Sequence, residues 1–536
     1  MDIKKVGKLA DSIWTKRDAV NSTLEELARY IYPDSKGFVS KPDAGAEDRE
    51  AIWDSAPEEA ASMLASALSG LLTNPATDWL ALELPGNEGQ GGDAGGWLTE
   101  AGRTMLKAFA APNSQFYQEI QVFYMELAVL GWAVFLTEYR DGEGLYFKSV
   151  PASQCAIAEN ARGIVDTVVR RFSMTAGQMA EEFGKDNLSQ TAQGALKKDP
   201  FKEFVVTHLV MPWDKLPEEI AAGDDGVGKS RLSEHKYVSV SFEQDGEKPL
   251  KLSGYYEFPY AVPRWSKRSG EVYGRGCGHA ALPDIRVLNK VSLSQLDAAQ
   301  KASNPPLLVP DDSVIDRKIN TFAGGITYWR PVGGEIIPLP ITANLDVMQL
   351  IREDRRAAIQ RLFLNDRIQL VGGPQMTATE IIARERKQAQ VLGPVLGRLQ
   401  SEHLGPMVTR VFGLLYRAGQ LPDPPEELKG REMSVRYISP ISRAQKQGEA
   451  EALQAAMGHI APLVQLGPEL MDNFDQDRIV RDTQELFGYP EDYLRKESEV
   501  KKIRQDRQQN AQAAAQAEAA MLAMKAAGSN QTATGL

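Results

Sequence analysis

The stretch from Tyr273 to Arg417 limits what this chain can fold into more than any other. It opens YGRGCGHAALPDIRVLNKVSLSQLDAAQKASNPP, crosses a segment rich in Pro and Gly, and resumes as LDVMQLIREDRRAAIQRLFLND. It closes with the turn RIQLVGGPQ and the run MTATEIIARERKQAQVLGPVLGRLQSEHLGPMVTRVFGLLYRAG. The order reads as helix, compact insert, helix, loop, long helix. The first helix is expected to start near His279, with Pro283 in its first turn, where the missing N–H costs nothing. Ile285, Leu288, Val291, Leu293 and Leu296 follow at helical spacing, and Asn304-Pro305-Pro306 ends it. At ~1.5 Å per residue it would be ~36 Å long. The second helix is expected to start near Asp346 and carries Met348, Ile351, Ile359, Leu362 and Phe363. Each helix has one apolar stripe and one mixed-charge face, so neither is an ordinary buried helix. The pattern suits helices side by side in a ring or bundle with one face toward solvent or a lumen. A surface hairpin on a globular domain fits it equally.

A chain of 536 residues is expected to hold two to four domains. Its 43% hydrophobic and 25% charged residues are those of a folded protein with a sizeable core. The net charge of -11 argues against coating nucleic acid by global attraction. It leaves room for a protein that nucleic acid passes without sticking. The two cysteines, Cys155 and Cys277, have no ligand spacing, so a reducing compartment is expected and a disulfide framework is not. MDIKKVGKLADSIW has no signal-peptide core, and the most apolar window, Val122 to Leu136, is too short to span a bilayer.

Before the hairpin the chain reads as helices and then sheet. Val6, Leu9, Ile13 and Trp14, and again Leu24, Leu27, Ile31 and Tyr32, recur at helical spacing. A second helix is expected from Ser55, with Pro57 and two glutamates behind it, to Asn74-Pro75. WLALELP alternates like a strand; 97–110 and 114–130 read as helices. After Gly131 the period becomes two. AVFLTEY, LYFKSV, CAIAEN, GIVDTVVRRFSM, FKEFVVTHLVMPWD, KYVSVSFEQDG, LKLSGYYEFP and YAVPRWSK are expected strands, with MTAGQMAEEFG a short helix and Asp141-Gly142 and Arg162-Gly163 at turns. The fold class is therefore α+β, with a largely antiparallel sheet. The insert offers LLVP, ITYWRP and EIIPLP as short strands and is too small to stand alone. The run 377–418 should kink at Gly393-Pro394 and Gly405-Pro406. Residues 419–445 read as extended, ending in MSVRYIS. From Gln445 the chain is helical again, and its Ala- and Gln-rich end is either a solvated helix or disordered.

No catalytic constellation stands out. Gly223 to Ser230 matches the P-loop pattern G-x-x-x-x-G-K-S, but no apolar strand precedes it, a strand follows it, and Asp224 and Asp225 would repel phosphate. A flexible hairpin loop is the better reading. Gly274, Gly276 and Gly278 lack the βαβ unit of a dinucleotide site and fit a sharp turn into a helix. The five histidines are dispersed, so neither a metal site nor a cofactor is expected. Over 279–363 ten basic residues, among them Arg286, Lys290, Lys301 and Arg361, face nine acids. The hairpin is thus near neutral in an acidic chain. A solvated face is the ordinary reading, and a lumen that meets a polyanion weakly is the functional one.

Taken in order, MLASALSGLLTNPATDWLALEL, LAVLGWAVFLTEY, FKSVPASQCAIAENARGIVDTVVRRFSMTAGQM, EVYGRGCGHAALPDIRVLN, NPPLLVP and MTATEIIARERKQAQVLGPVLGRLQSEHLGPMVTRVF resemble the portal, or head-to-tail connector, proteins of short-tailed bacteriophages. The resemblance covers roughly residues 10 to 500. It implies a ring of twelve copies at one capsid vertex of the virion, assembled in the host cytoplasm, and passing double-stranded DNA without sequence specificity. It also implies docking of the terminase large subunit and then of tail adaptor and tail proteins, with scaffolding and major capsid proteins around it. Neither a membrane partner nor an enzymatic activity is expected. Residues 1–278 would be a wing, 279–302 and 346–366 the stem, and 303–345 a clip. Residues 367–376 would be a tunnel loop, 377–445 the wing return with its long kinked helix, and 446–536 a helical crown with an Ala/Gln-rich tail. DNA-channel candidates are Lys290, Arg352, Arg355, Arg356, Arg361, Arg367 and Gln369. Motor- or adaptor-binding candidates on the clip are Arg317, Lys318, Tyr328, Trp329 and Arg330. Counterion release makes a strongly basic channel hold DNA, so a near-neutral stem suits passage. Changing Arg352, Arg355 or Arg356 singly is expected to alter DNA retention more than ring assembly. A packaging ATPase using Gly223 to Ser230, an internal virion or scaffolding protein, and an oligomer with no DNA role are the competing readings.

Overall fold

The structure is a computed structural model. It describes residues 2–39, 52–83, 92–216, 235–244, 246, 248–310, 320–329, 337–338, 345–368, 393–428, 434–437, 456–459, 475, 477, 479–480, 495 and 497–531. Two compact units divide the chain, 1–79 with 105–419 and 80–104 with 420–536.

The first unit begins with α1 (Ile3–Ile31), whose N-terminus is capped by the Asp2 carboxylate accepting from the N–H groups of Lys4 and Lys5. The two apolar clusters of the sequence lie on this one helix. It stays unbroken between them because Arg17 is buried there and its guanidinium donates to the carbonyl oxygens of Ala152, Ser153 and Cys155, at 3.3, 2.6 and 2.8 Å. In α2 (Ala56–Leu72) Pro57 and the two glutamates sit in the first turn as expected. Asp54, however, supplies the cap: its Oδ1 accepts from the Ala56 N–H at 3.1 Å, while the Ser55 side chain makes no capping bond. The strand β1 (Leu80–Glu83) and the helix α3 (Gly92–Phe109) as far as Thr104 belong to the second unit; the first resumes at Met105 and continues with α4 (Phe116–Leu130). Residues Phe123 to Leu130 of α4 are all buried.

The sheet region follows the period-two reading. Two strands, β2 (Val134–Arg140) and β3 (Gly144–Val150), form a hairpin, with Gly142 at φ 84°. Next are β4 (Cys155–Glu159), β5 (Val165–Thr175), the helices α5 (Ala176–Phe183) and α6 (Gln190–Lys198), β6 (Glu203–Pro212), β7 (Tyr237–Glu243), β8 (Pro249–Tyr255) and the two-residue β9 (Tyr260–Ala261). β4 to β8 form an antiparallel sheet in sequence order, and β2 sits between β3 and β9 in a second sheet. Ile3, Val6, Ala10 and Ile13 of α1 pack on Val169, Leu209 and Val240 of the larger sheet. Met179 and Ala192 of α5 and α6 pack on Val206 and Leu250; Val206 and Leu209 are three apart, so the helices cover opposite faces. The sequence reading had no helix at α6, whose start is the Ser189 cap on the Ala192 N–H at 3.1 Å. Trp79, Phe109, Phe116 and Phe147 stack at 4.7–5.9 Å beside the smaller sheet.

The hairpin is α7 (Cys277–Ser303) and α8 (Leu345–Leu362). Between them β10 (Leu307–Pro310) pairs in parallel with β11 (Ile326–Trp329) and antiparallel with β12 (Ile337–Pro338), the three strands expected of the insert. The short helix α9 (Asn365–Ile368) comes next. The last helix of the unit, α10 (Gly405–Arg417), has Pro406 in its first turn and follows a π-helical turn over Gln400–Leu404. That widened turn stands where a kink was expected.

In the second unit β1 pairs antiparallel with β13 (Ser434–Tyr437), Leu80 opposite Tyr437. Trp97 donates its indole N–H to the Pro422 carbonyl at 3.0 Å. The Ala- and Gln-rich end is the helix α11 (Glu497–Gln531). None of the described helices is long and apolar enough to cross a membrane.

Candidate functional site

The hairpin is held at its base by backbone packing and by ion pairs. α7 starts at Cys277, two residues before the expected start, so Pro283 lies inside the helix and not in its first turn. The Gly276 N–H donates to His279 Nδ1 at 3.3 Å. Burial, helped by Arg275, pushes the His279 imidazole down to about 4, which leaves that nitrogen neutral and able to accept. The glycines at this junction pack backbone on backbone against the end of α4. Gly131 caps α4 at φ 81°, and a Cβ there would stand 2.1 Å from the Gly276 N. A Cβ at Gly276 would stand 2.6 Å from the Ala128 carbonyl oxygen. This accounts for the glycine repeat without a nucleotide.

Arg355 Nη1 donates to Asp284 Oδ1 at 2.7 Å and Nη2 to Asp354 at 2.6 Å, so α8 is tied to α7. Arg286 of α7 forms a two-pronged pair with Glu26 of α1 at 2.6 and 2.5 Å, and this bond holds the Glu26 carboxyl below its usual range. Arg356 of α8 reaches the buried Asp54 at 3.0 Å. Asp54 also accepts from Ser292 Oγ of α7 at 3.1 Å, and Asn289 Oδ1 accepts from the Trp53 N–H at 2.7 Å. Asp54 thus caps α2 and clamps both hairpin helices. α8 ends at a left-handed Leu364, φ 63°, beside the fully buried Phe363. Asn365 follows, its Nδ2 donating to the Ala60 carbonyl at 3.2 Å.

Beyond the hairpin, the π-helical turn has a clear tenant. Glu402 accepts from the Arg264 guanidinium at 3.1 and 3.2 Å and from its backbone N–H at 2.9 Å. Arg264 also pairs with Glu159 at 2.8 Å, and Lys267 shares that carboxylate at 2.6 Å. The next residue, His403, is wholly buried among Phe123, Tyr124 and Phe135. Burial pushes it down to about 3.

The structure thus brings Arg355 and Arg356 into ion pairs within the chain. Arg352 is half-buried on α8, and its Nε has no hydrogen-bond partner among the described residues. Lys290 is exposed on α7. Arg361 is exposed and donates to the Ala357 carbonyl of its own helix at 3.2 Å. Arg367 lies in α9, and Tyr328 and Trp329 lie on β11. Gln369, Arg317, Lys318, Arg330 and the Gly223 to Ser230 loop lie outside the described residues. Sequence reasoning found the arginines and missed their partners Asp54, Asp284 and Glu26; only the start signal of α2 pointed near Asp54. No group of three or more metal-ligating side chains occurs among the described residues.

Residues 4–494 match the model of a family described as bacteriophage head to tail connecting protein. The chain belongs to that family. As a connector it is a virion component. It is 31% identical over 527 residues to a probable portal protein of Bordetella phage BPP-1, covering 95% of this chain and 92% of that one. It is 30% identical over 514 residues to the portal protein of Salmonella phage epsilon15, covering 93% and 90%. Among solved structures, a chain from the virion of a native gene transfer agent particle matches 82% of this connector and 89% of its own length at 10% identity, with a TM-score of 0.38. A chain from the neck of a native particle computed with C12 symmetry matches 80% and 90% at 11% identity, with a TM-score of 0.33. Overlaps that loose carry no detail of the fold.

Proposed function

We propose that this connector is a phage portal subunit. Twelve copies close into a ring at one capsid vertex, and double-stranded DNA is packaged and later ejected through its centre. The observation that carries the reading is the family match over residues 4–494, which takes in the sheets, the hairpin and its insert together. In this reading α7 and α8 are the stem, the insert is the clip, the sheets belong to the wing, and the residues from 446 onward form a crown. The anchoring of both stem helices to α1 and to the start of α2 supports it, because a channel wall must keep its shape while DNA moves past. The near-neutral stem supports it too, since few fixed phosphate contacts mean weak retention.

The DNA-facing groups are drawn from the end of α8 and the residues that follow it in sequence. Arg361 is exposed there, and Arg367 and Gln369 come next in the chain. Their contacts are to phosphate and carry no sequence information. Arg317, Lys318, Tyr328, Trp329 and Arg330 of the clip meet the terminase large subunit and then the tail adaptor. Hydrolysis of ATP belongs to that motor, and this chain's role is structural.

Complementation tests this reading. A phage lacking the chain is expected to accumulate heads without DNA and unattached tails, and expression of the chain in trans is expected to restore filled, tailed particles. Filled and tailed particles made without the chain would overturn it.

A further inference from the structure

The two hairpin helices carry different outward stripes. On α7, Arg286, Lys290, Leu293, Asp297 and Gln300 recur at spacings of four and three. On α8, Asp346, Leu350, Glu353, Ala357 and Gln360 do the same. Such spacing keeps each set on one helix face. Leu293 is half-buried, and every other member of the two stripes is exposed. Leu350 is the extreme case at 68%, an apolar group that helix formation alone does not call for.

The charges of the two stripes are complementary. The α8 stripe holds the acids Asp346 and Glu353 and no base. The α7 stripe holds Arg286 and Lys290 against Asp297. Glu26 occupies Arg286, so Lys290 is the cation left over. The Asp284–Arg355 pair fixes the antiparallel register of the helices. Six residues along each helix from that pair, Lys290 is level with Gln349 and beside Leu350 in height. Lys290 therefore lies at a height between Glu353 and Asp346.

We propose, resting on the ring reading above, that the α8 stripe of one copy packs against the α7 stripe of the next. Leu350 lies on Leu293 and on the aliphatic stem of Lys290, and the Lys290 ammonium sits between Asp346 and Glu353 of the neighbour. The two faces differ, so the contact is head-to-tail, the kind that a closed ring of identical copies requires. This assigns Lys290 to the neighbouring subunit and not to DNA.

The test uses the full chain, with ring formation followed by native mass spectrometry over a dilution series. K290E or E353K alone is expected to raise the concentration for half-assembly about tenfold, and the double variant K290E/E353K to bring it back toward wild type. A second measurement keeps every charge in place. Leu293→Cys with Leu350→Cys, treated with a short bis-maleimide, is expected to give a ladder of covalent oligomers that neither single cysteine gives; the native Cys155 and Cys277 are buried. A wild-type ring whose single charge variants assemble like wild type, with no ladder from the cysteine pair, overturns this contact and leaves the ring standing. A ladder that forms only with a tail or motor protein added also overturns it, in favour of that protein as occupant. A wild-type chain that forms no ring overturns both readings.

Discussion

Arg356 and Asp54 meet across 302 residues of chain, and the carboxylate they share with Ser292 is buried while the guanidinium is partly open to solvent. The contact closes the base of the hairpin onto the start of α2. Arg356→Met leaves a buried carboxylate short of its charged partner, so it is expected to lower the stability of the first unit by about 2 kcal/mol. Arg355→Met removes a more exposed pair and is expected to stay close to wild type. Urea unfolding of the two variants checks this, and equal losses would contradict it.

Gly131 and Gly142 both have positive φ, 81° and 84°, but only Gly131 is pressed against another backbone. Gly142→Ala is expected to cost only the left-handed conformation, about 1 kcal/mol. Gly131→Ala adds a methyl where Gly276 already stands and is expected to cost several times more, on the order of 4 kcal/mol, with loss of soluble protein. Thermal melts of the pair decide, and similar melting points would show that the packing of α7 on α4 is looser than described.

Glu126 is fully buried; Ser35 Oγ donates to it at 2.7 Å and the Ala152 N–H at 3.2 Å. Burial outweighs these bonds and pushes the carboxyl up to about 7. Its folded value is raised, so its contribution is fully present below the ordinary 4.5 and is lost as pH rises through 7. Glu126→Gln is therefore expected to gain on wild type as pH goes from 5 to 8, by up to ~3 kcal/mol. Denaturation midpoints at the two pH values measure it; a constant difference would contradict it.

His403 works in the opposite direction. Its folded value is depressed from 6.5 to about 3 by burial, so its contribution is present above 6.5 and lost as pH falls toward 3. Neither ring nitrogen has a hydrogen-bond partner among the described residues. His403→Phe is expected to match wild type at pH 7.5 and to unfold less readily than wild type at pH 5. Equal acid sensitivity of the two proteins would contradict the burial.

The elements were largely legible in the sequence because their signals are local. Pro57 with two glutamates behind it marked α2, the alternation after Gly131 marked the strands, and Asn304-Pro305-Pro306 marked the end of α7. What pairs across hundreds of residues was not legible. Nothing in WLALELP or MSVRYIS says that β1 pairs with β13, and nothing in EDRR says that Arg356 belongs to Asp54. The start of α7 was missed by two residues because Gly276 and the His279 ring, not a Ser or Asp cap, begin it. Arg286, Arg355 and Arg356 are spent on Glu26, Asp284 and Asp54, acids whose nearness only the fold creates.

The measurement that bears most directly on the central claim is electron cryomicroscopy of the purified full chain. The expected result is a closed ring of twelve copies with an open centre wide enough for duplex DNA, walled by α7 and α8. A monomer or small dimer, unchanged over concentration and salt, would contradict it.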